Sequence, residues 1–578
     1  MLGFFLCSIV WMVLSLSIFG AIAAGGDTVP VITENSVYKL DLEGVVTERS
    51  KENPFESAML EAMGQPGQQN IGLDDILANI KKAKNNEKII GIHLEGGNLS
   101  GGYATMKEIR DALVDFKTSG KFITSYADSY MQSSYYLATT ADKLMVNTKG
   151  VVDWRGLSSE IMYYTDLLEK VGAEMQIVKV GTFKSAVEPY INTEMSDANR
   201  LQMQQMVDGV WGNMLTEVSS GRKMNPEQMD AYADEMMTFQ ATEKYKNYNM
   251  VDTLVYANEV DSILKTIAKL DAESEINFVS HSDLCKIKEE EKFQKDKIAV
   301  IYAEGAITDL EGDGIVGEEM VETINEVSEN DAVKAVVFRV NSPGGSAYAS
   351  EQIWNALRNL KKKKPIIVSM GDYAASGGYY ISCIADTILA QPNTLTGSIG
   401  VFSMIPNLSG TMDKFGLKTD AVKTNEMSDM TSNMLMKGMN KAERAVMQKS
   451  VNEIYDLFVQ RCADGRNMST DAIREIGEGR VWLGEAGVKL GLVDMLGGID
   501  DAIAIAARKA NLTAYGIATY PEAEDMMTQL INSMNGASIL DKIAQNQLGD
   551  TYLWLKKAKE MSEKTGIYAA MPYQISIE

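Results

Sequence analysis

The segment KFITSYAD at Lys121–Asp128 returns as PIIVSMGD at Pro365–Asp372, an offset of 244 residues. At the same offset, without a gap, Ser133–Tyr136 (SSYY) matches Gly377–Tyr380 (GGYY), Ala141-Asp142 matches Ala385-Asp386, and Glu108–Leu113 matches Gln352–Leu357. Farther upstream, Tyr38–Gly44 matches Ile298–Gly305 with a shifted offset. A 578-residue chain is too long for one ordinary domain, and the repetition divides it into two halves of one architecture. Each half alternates apolar runs such as Ala335–Val340 and Ile366–Ser369 with helix-period segments such as Ser350–Leu360. That is the βαβ pattern of an α/β fold with parallel strands. The expected division is a first repeat at 27–270, a solvated connector rich in Glu, Lys and Asp at 271–297, a second repeat at 298–520, and a tail at 521–578 with no repeat partner.

From Leu2 to Ala24 no charged residue occurs, enough apolar chain to cross a bilayer as a helix. Residues 1–26 are therefore expected to be a single transmembrane anchor. The competing reading is a cleaved signal peptide, because Ala21-Ile22-Ala23 fits a small-residue cleavage site. No Lys or Arg precedes the span, so orientation is only weakly marked, with export of the C-terminal bulk expected. Net charge of -24 opposes binding to phosphate backbones, and no nucleic-acid partner is expected. The four cysteines, Cys7, Cys285, Cys383 and Cys462, have neither zinc-site nor disulfide-framework spacing. With only two histidines, His93 and His281, a hydrolase of this sequence is expected to work without histidine.

The chemistry is sought where the copies differ. Ser376, in DYAASGGY, stands opposite Gln132. A serine followed by two glycines at a strand-to-helix junction exposes its hydroxyl and leaves room for substrate, although the same triplet is also a common turn. Upstream, NSPGGS at Asn341–Ser346 follows a strand and precedes a helix, which makes the backbone N–H groups of Gly344 and Gly345 candidates to hold an oxyanion. The first-half counterpart EGGNLSGG lacks the proline and has a different length. A serine needs a base, and without histidine the choice is a lysine kept neutral by burial. Lowering its pKa from about 10.4 toward 7–8 requires about 4 kcal/mol from the surroundings. Lys184, in VGTFKSAVEPY, follows a strand-like run and stands opposite Glu426.

Together these residues resemble signal peptide peptidase A, or protease IV, in its long double-domain form, over nearly the whole chain to about Asn511. The resemblance implies tandem domains related to Clp protease and crotonase, with the serine from the second half and the lysine from the first. Carried over by motif, Ser376 is the nucleophile, Lys184 the general base, and Ser398 in LTGSIG orients the lysine; its counterpart Trp154 marks the first copy as inert. From local sequence alone Ser398 is equally a turn residue. No metal or organic cofactor is implied. The resemblance further implies a bacterial inner-membrane enzyme facing the extracytoplasmic side, degrading signal peptides and similar apolar peptides, and assembled as a bowl-shaped homotetramer. Two rival readings are a crotonase-like acyl-CoA enzyme, which needs no serine-lysine pair, and a catalytically inactive membrane scaffold.

Overall fold

The computed structural model describes residues 30–50, 70–271, 273–287, 293–310, 312, 314–522 and the backbone strand Ile567–Ala570. The expected anchor at 1–26 and most of the expected tail lie outside the described residues. Among the described residues no helix is long and apolar enough to cross a membrane.

The first half builds a sheet in the order Asn70–Gly72, Ser36–Thr47, Ile89–Ser100, Phe122–Tyr130, Lys143–Val152, Thr253–Leu254. Its neighbours run parallel. The second half repeats the order as Lys297–Glu304, Val333–Ser342, Ile366–Ala375, then Thr387–Ala390 and Leu395–Gly397. Strands of a parallel sheet are covered on both faces, and central strands such as Lys297–Glu304 and Val333–Ser342 are correspondingly apolar and buried through most of their length. The helix Tyr103–Lys117 shows how the pattern works: Met106, Ile109, Leu113 and Phe116 fall on one stripe and are buried against the sheet. One difference bears on the site. The single strand Lys143–Val152 of the first half becomes two short strands in the second, interrupted before Leu395.

Part of the segment read as connector is structured. Asn277–Ser280 pairs parallel with Ser36–Lys39, and the helix His281–Lys286 follows it directly.

A third sheet is shared between the halves. Glu174–Val180 of the first pairs antiparallel with Val401–Asn407 of the second, with Val180 opposite Val401 and Glu174 opposite Asn407. The strand Ile567–Ala570 lies between Val401–Asn407 and Gly344–Ser346, antiparallel to both. Polar contacts reinforce the junction. The Asp372 carboxylate of the second half accepts from the Ala104 and Thr105 N–H groups, each at 2.9 Å, and so caps a first-half helix. Arg339, fully buried, pairs with Glu48 at 2.8 Å and with Glu108 at 2.7 Å, both from the first half.

Burial, partly opposed by Arg339, lifts the Glu108 carboxyl to about 7. The folded state therefore holds the more protons between the ordinary value of 4.5 and about 7, and this group's contribution to stability declines as pH rises through that window. Removing the arginine strands two buried carboxylates. Arg339→Met is expected to cost about 3–5 kcal/mol, and Glu108→Gln to cost less and to flatten the pH dependence of the urea midpoint between pH 4.5 and 7.

Candidate active site

Ser376 ends the strand Ile366–Ala375 and precedes the helix Gly377–Ser382. The change of direction takes place at the serine itself, with φ 56° and ψ -114°. A non-glycine residue in that region is strained, and such strain is typical of a nucleophile held on a tight strand-to-helix turn. The Ser376 N–H is anchored to Gly397 O at 2.8 Å. Gly378 allows the turn to pack closely, since a Cβ there would lie 2.5 Å from Ser342 O.

Lys184 reaches the serine from the other half. The strand pairing ends at Val180, Gly181 turns the chain with φ 111°, and Lys184 enters the second half three residues later. Its Nζ lies 2.7 Å from Ser376 Oγ, 3.0 Å from Ser398 Oγ and 3.1 Å from Ser398 O. Lys184, Ser376 and Ser398 are each 0% exposed. Burial, with no carboxylate partner among the described residues, pushes the lysine amine well below its ordinary value of 10.5. Ser398 adopts φ 52° and its hydroxyl donates to Gly479 O at 3.3 Å, leaving its oxygen to accept from the amine.

The structure thus brings together the three side chains singled out in the sequence. Gly344 and Gly345 lie alongside, linked to the serine helix through the approach of Ser342 to Gly378. Gly344 has φ 95°, and a Cβ on Gly345 would sit 1.9 Å from Ile307 O, so neither position accommodates a side chain. The Gly344 N–H donates to Ser342 Oγ at 3.2 Å.

The corresponding place in the first half is closed. Gln132 Oε1 accepts from the N–H groups of Arg155 and Gly156, both at 3.2 Å, which occupies these backbone donors with the chain's own amide. Trp154 is buried and donates to Met229 O at 2.9 Å, while Glu426 is exposed. Sequence reasoning missed two supports of the lysine. Gln202 donates to Phe183 O at 3.2 Å and to Ser185 Oγ at 2.7 Å, and the turn Gly477–Arg480 packs against both Lys184 and Ser398. The only local signal was the pair of glycines in GEGR.

The model of peptidase family S49 matches residues 115–271 and 358–513, one copy in each half. The chain belongs to peptidase family S49. Its relatives in that family include Protease 4 of Haemophilus influenzae, 33% identical over 503 residues that cover 85% of this chain and 81% of the relative. Protease 4 of Salmonella typhi is 34% identical over 87% of this chain and 83% of its own length. The chloroplastic serine protease SPPA of Arabidopsis thaliana is 29% identical over 87% and 74%. Among solved structures, a point mutant of ClpP1 from Listeria monocytogenes aligns at 14% identity over 35% of this chain and 94% of that chain, with a TM-score of 0.25, too low to argue from. As an S49 member the chain is a serine protease, and the acyl-CoA alternative falls.

The buried amine has a consequence for stability independent of catalysis. In the unfolded chain the lysine keeps its proton up to about pH 10.5, whereas in the folded chain it loses it well below. The unfolded state thus binds more protons in between, and this group makes stability rise with pH across the window. Lys184→Met is expected to raise the urea midpoint at pH 7 and to flatten its rise between pH 7 and 10.

Proposed function

We propose that the chain is a membrane-anchored serine endopeptidase in which Ser376 is the nucleophile and Lys184 the general base. The observation that carries this reading is the 2.7 Å approach of Lys184 Nζ to Ser376 Oγ inside a site that excludes water. A neutral amine has two N–H groups and one lone pair. Ser398 O and Oγ accept the first two, which turns the lone pair toward the serine hydroxyl. As Oγ attacks the scissile carbonyl, Nζ takes its proton and gives it to the leaving amine as the C–N bond breaks. Water then enters and gives a proton to Nζ as it attacks the serine ester, and that proton returns to Oγ as the acid leaves. The backbone N–H groups of Gly344 and Gly345 are assigned to the developing oxyanion, the Gly344 N–H exchanging its 3.2 Å bond to Ser342 Oγ for the substrate oxygen. These steps require neither metal nor organic cofactor.

An extended peptide is favoured as substrate by the shared sheet. The edges Gly344–Ser346 and Phe402-Ser403 stand one strand apart, and Ile567–Ala570 fills that width antiparallel to both. A peptide laid in the same slot would be hydrogen-bonded along both sides. The apolar segment Leu2–Ala24 supports anchoring in the bacterial inner membrane with the catalytic part on its extracytoplasmic side. That position favours signal peptides and similar apolar peptides, which partition into lipid.

Self-association completes the proposal. At the repeat offset, the paired strands Glu174–Val180 and Val401–Asn407 correspond to residues 418–424 and 157–163. Neither counterpart forms a strand in the single chain, and residues 413–426 are exposed throughout, Phe415 at 77% and Val422 at 104%. A second copy placed head to tail would bring 157–163 of one chain against 418–424 of the next, and repetition of that contact closes into a ring, in keeping with a homotetramer.

Hydrolysis of a fluorogenic peptide with an apolar P1 residue is expected to rise from pH 6 to 10 in a chain begun at Gly26, itself expected in the soluble fraction. Both Ser376→Ala and Lys184→Ala should lower kcat/KM by roughly 10³-fold or more without loss of folding; an unimpaired Lys184→Ala would remove lysine as the base, and an inactive folded parent would favour the scaffold. By light scattering, Phe415→Glu with Val422→Glu is expected to reduce the assembly to monomers, and an unchanged mass would overturn the head-to-tail contact.

A further inference from the structure

Between the strand-to-helix turn of Ser376 and the lysine loop lies a piece of chain that touches neither reacting atom yet binds both of their supports. Residues Gly477–Arg480 form a tight turn closed by the Arg480 N–H on Gly477 O at 2.9 Å. Its two central residues, Glu478 and Gly479, have φ 53° and 75°. That is the geometry of a type I′ turn, in which both central positions favour glycine, asparagine or aspartate. A glutamate there is held against its own preference, and a strained residue beside a reactive site invites a search for what its side chain does.

The turn faces two ways. Toward the second half, the Gly479 N–H donates to Ile399 O at 2.8 Å, Gly479 O accepts from Ser398 Oγ at 3.3 Å, and Arg480 O accepts from the Ser398 N–H at 2.7 Å. Toward the first half, Glu478 O accepts from the Phe183 N–H at 2.8 Å. Its carboxylate Oε2 accepts from both the N–H and the hydroxyl of Thr182, each at 3.0 Å. Space is as restrictive as hydrogen bonding. A Cβ on Gly479 would lie 2.7 Å from Lys184 Cβ and 2.8 Å from Lys184 N, and a Cβ on Gly181 would lie 2.6 Å from Glu478 O. The Arg480 guanidinium covers the Phe183 ring at 4.8 Å and the Trp482 ring at 4.1 Å, closing the outer side of the loop.

We infer that Glu478 and Gly479 are positioning residues for the general base: the turn clamps the lysine loop of the first half to the Ser398 segment of the second, fixing where Nζ meets Ser376. The inference rests on the reading of Lys184 as base. It goes further by naming the part of the chain that converts strand pairing between the halves into a hydrogen-bonding distance. Strand pairing alone ends at Val180, four residues short of the lysine, and the intervening loop has the freedom to misplace the amine. A displacement of about 1 Å at such a site costs up to roughly 100-fold in rate.

The test compares Glu478→Gly, Glu478→Gln and Gly479→Ala with the parent in kcat, KM and the pH dependence of kcat. Glu478→Gly removes the side chain with its carboxylate and suits the positive φ of the turn, so the turn is kept while the Thr182 contact is lost, and kcat is expected to fall about 10-fold at unchanged KM. It should also move the rising limb of the pH profile to higher pH, because a loosened loop admits water to the amine. The amide oxygen of Glu478→Gln still accepts from Thr182, and this variant is expected within about threefold of the parent. Gly479→Ala, which collides with the lysine backbone, is expected to lose about 100-fold or more. Thr182→Val removes one donor of the same clamp and should reproduce part of the limb shift if Glu478→Gly does not fold. Parent kcat and an unshifted limb in folded Glu478→Gly, or equal losses in Glu478→Gln and Glu478→Gly, would overturn the inference. Undiminished activity in Lys184→Ala would instead overturn the base assignment beneath it.

Discussion

Everything at the site depends on keeping one amine dry. Lys184 is fully buried with no carboxylate beside it among the described residues, and a lysine in that condition resists its charge because low-dielectric surroundings replace its hydration. Neither half provides such an environment alone. The amine is carried into the second half on the end of a first-half strand, and the groups that receive it, Ser376 and Ser398, stand on backbone turns with positive φ. Burial of the amine and its approach to Ser376 therefore both start from the antiparallel pairing of Glu174–Val180 with Val401–Asn407, which carries the lysine loop to the second half.

That pairing is held by contacts of different kinds. Apolar burial supplies most of the stability of each half, in separate cores on the two parallel sheets. The junction combines an apolar cluster of Met203 and Met206 with Ala375, Leu395 and Val481 and buried polar contacts, Arg339 between Glu48 and Glu108 and Asp372 capping the helix at Ala104. Buried ionic contacts add little net stability relative to apolar packing, but a mismatched one is heavily penalised. Displacing the halves would leave Arg339, Glu48 and Glu108 buried without their partners, so these contacts penalise other placements of the halves.

The sequence repetition made much of this legible. Because strand order follows the repeat, the parallel sheets and their helices were readable from the match of KFITSYAD with PIIVSMGD, and Ser376 and Lys184 stood out as differences between copies. What escaped notice has physical reasons. Asn277–Ser280 is surrounded by charged residues and becomes a strand only because the edge of Ser36–Thr47 is available to it. Ile567–Ala570 is too short to signal itself, its pairing being set by two distant edges. The turn at Gly477–Arg480 has no apolar period, and Glu478 meets Thr182 across 296 residues of chain, a separation that no local pattern encodes.

The closed first-half site has a consequence for how activity arises during synthesis. The chain emerges with its lysine-bearing half first, and domains tend to fold as units in that order. Under the proposed chemistry this half is inert when it folds, because Gln132 stands where the second half has its serine and its amide oxygen is bonded to the Arg155 and Gly156 N–H groups. On that assignment the pair of Ser376 and Lys184 exists only once the second half has folded against the first. On the same assignment, fragments that lack either half hold no serine with a base beside it, which would confine proteolysis to molecules in which both halves are present.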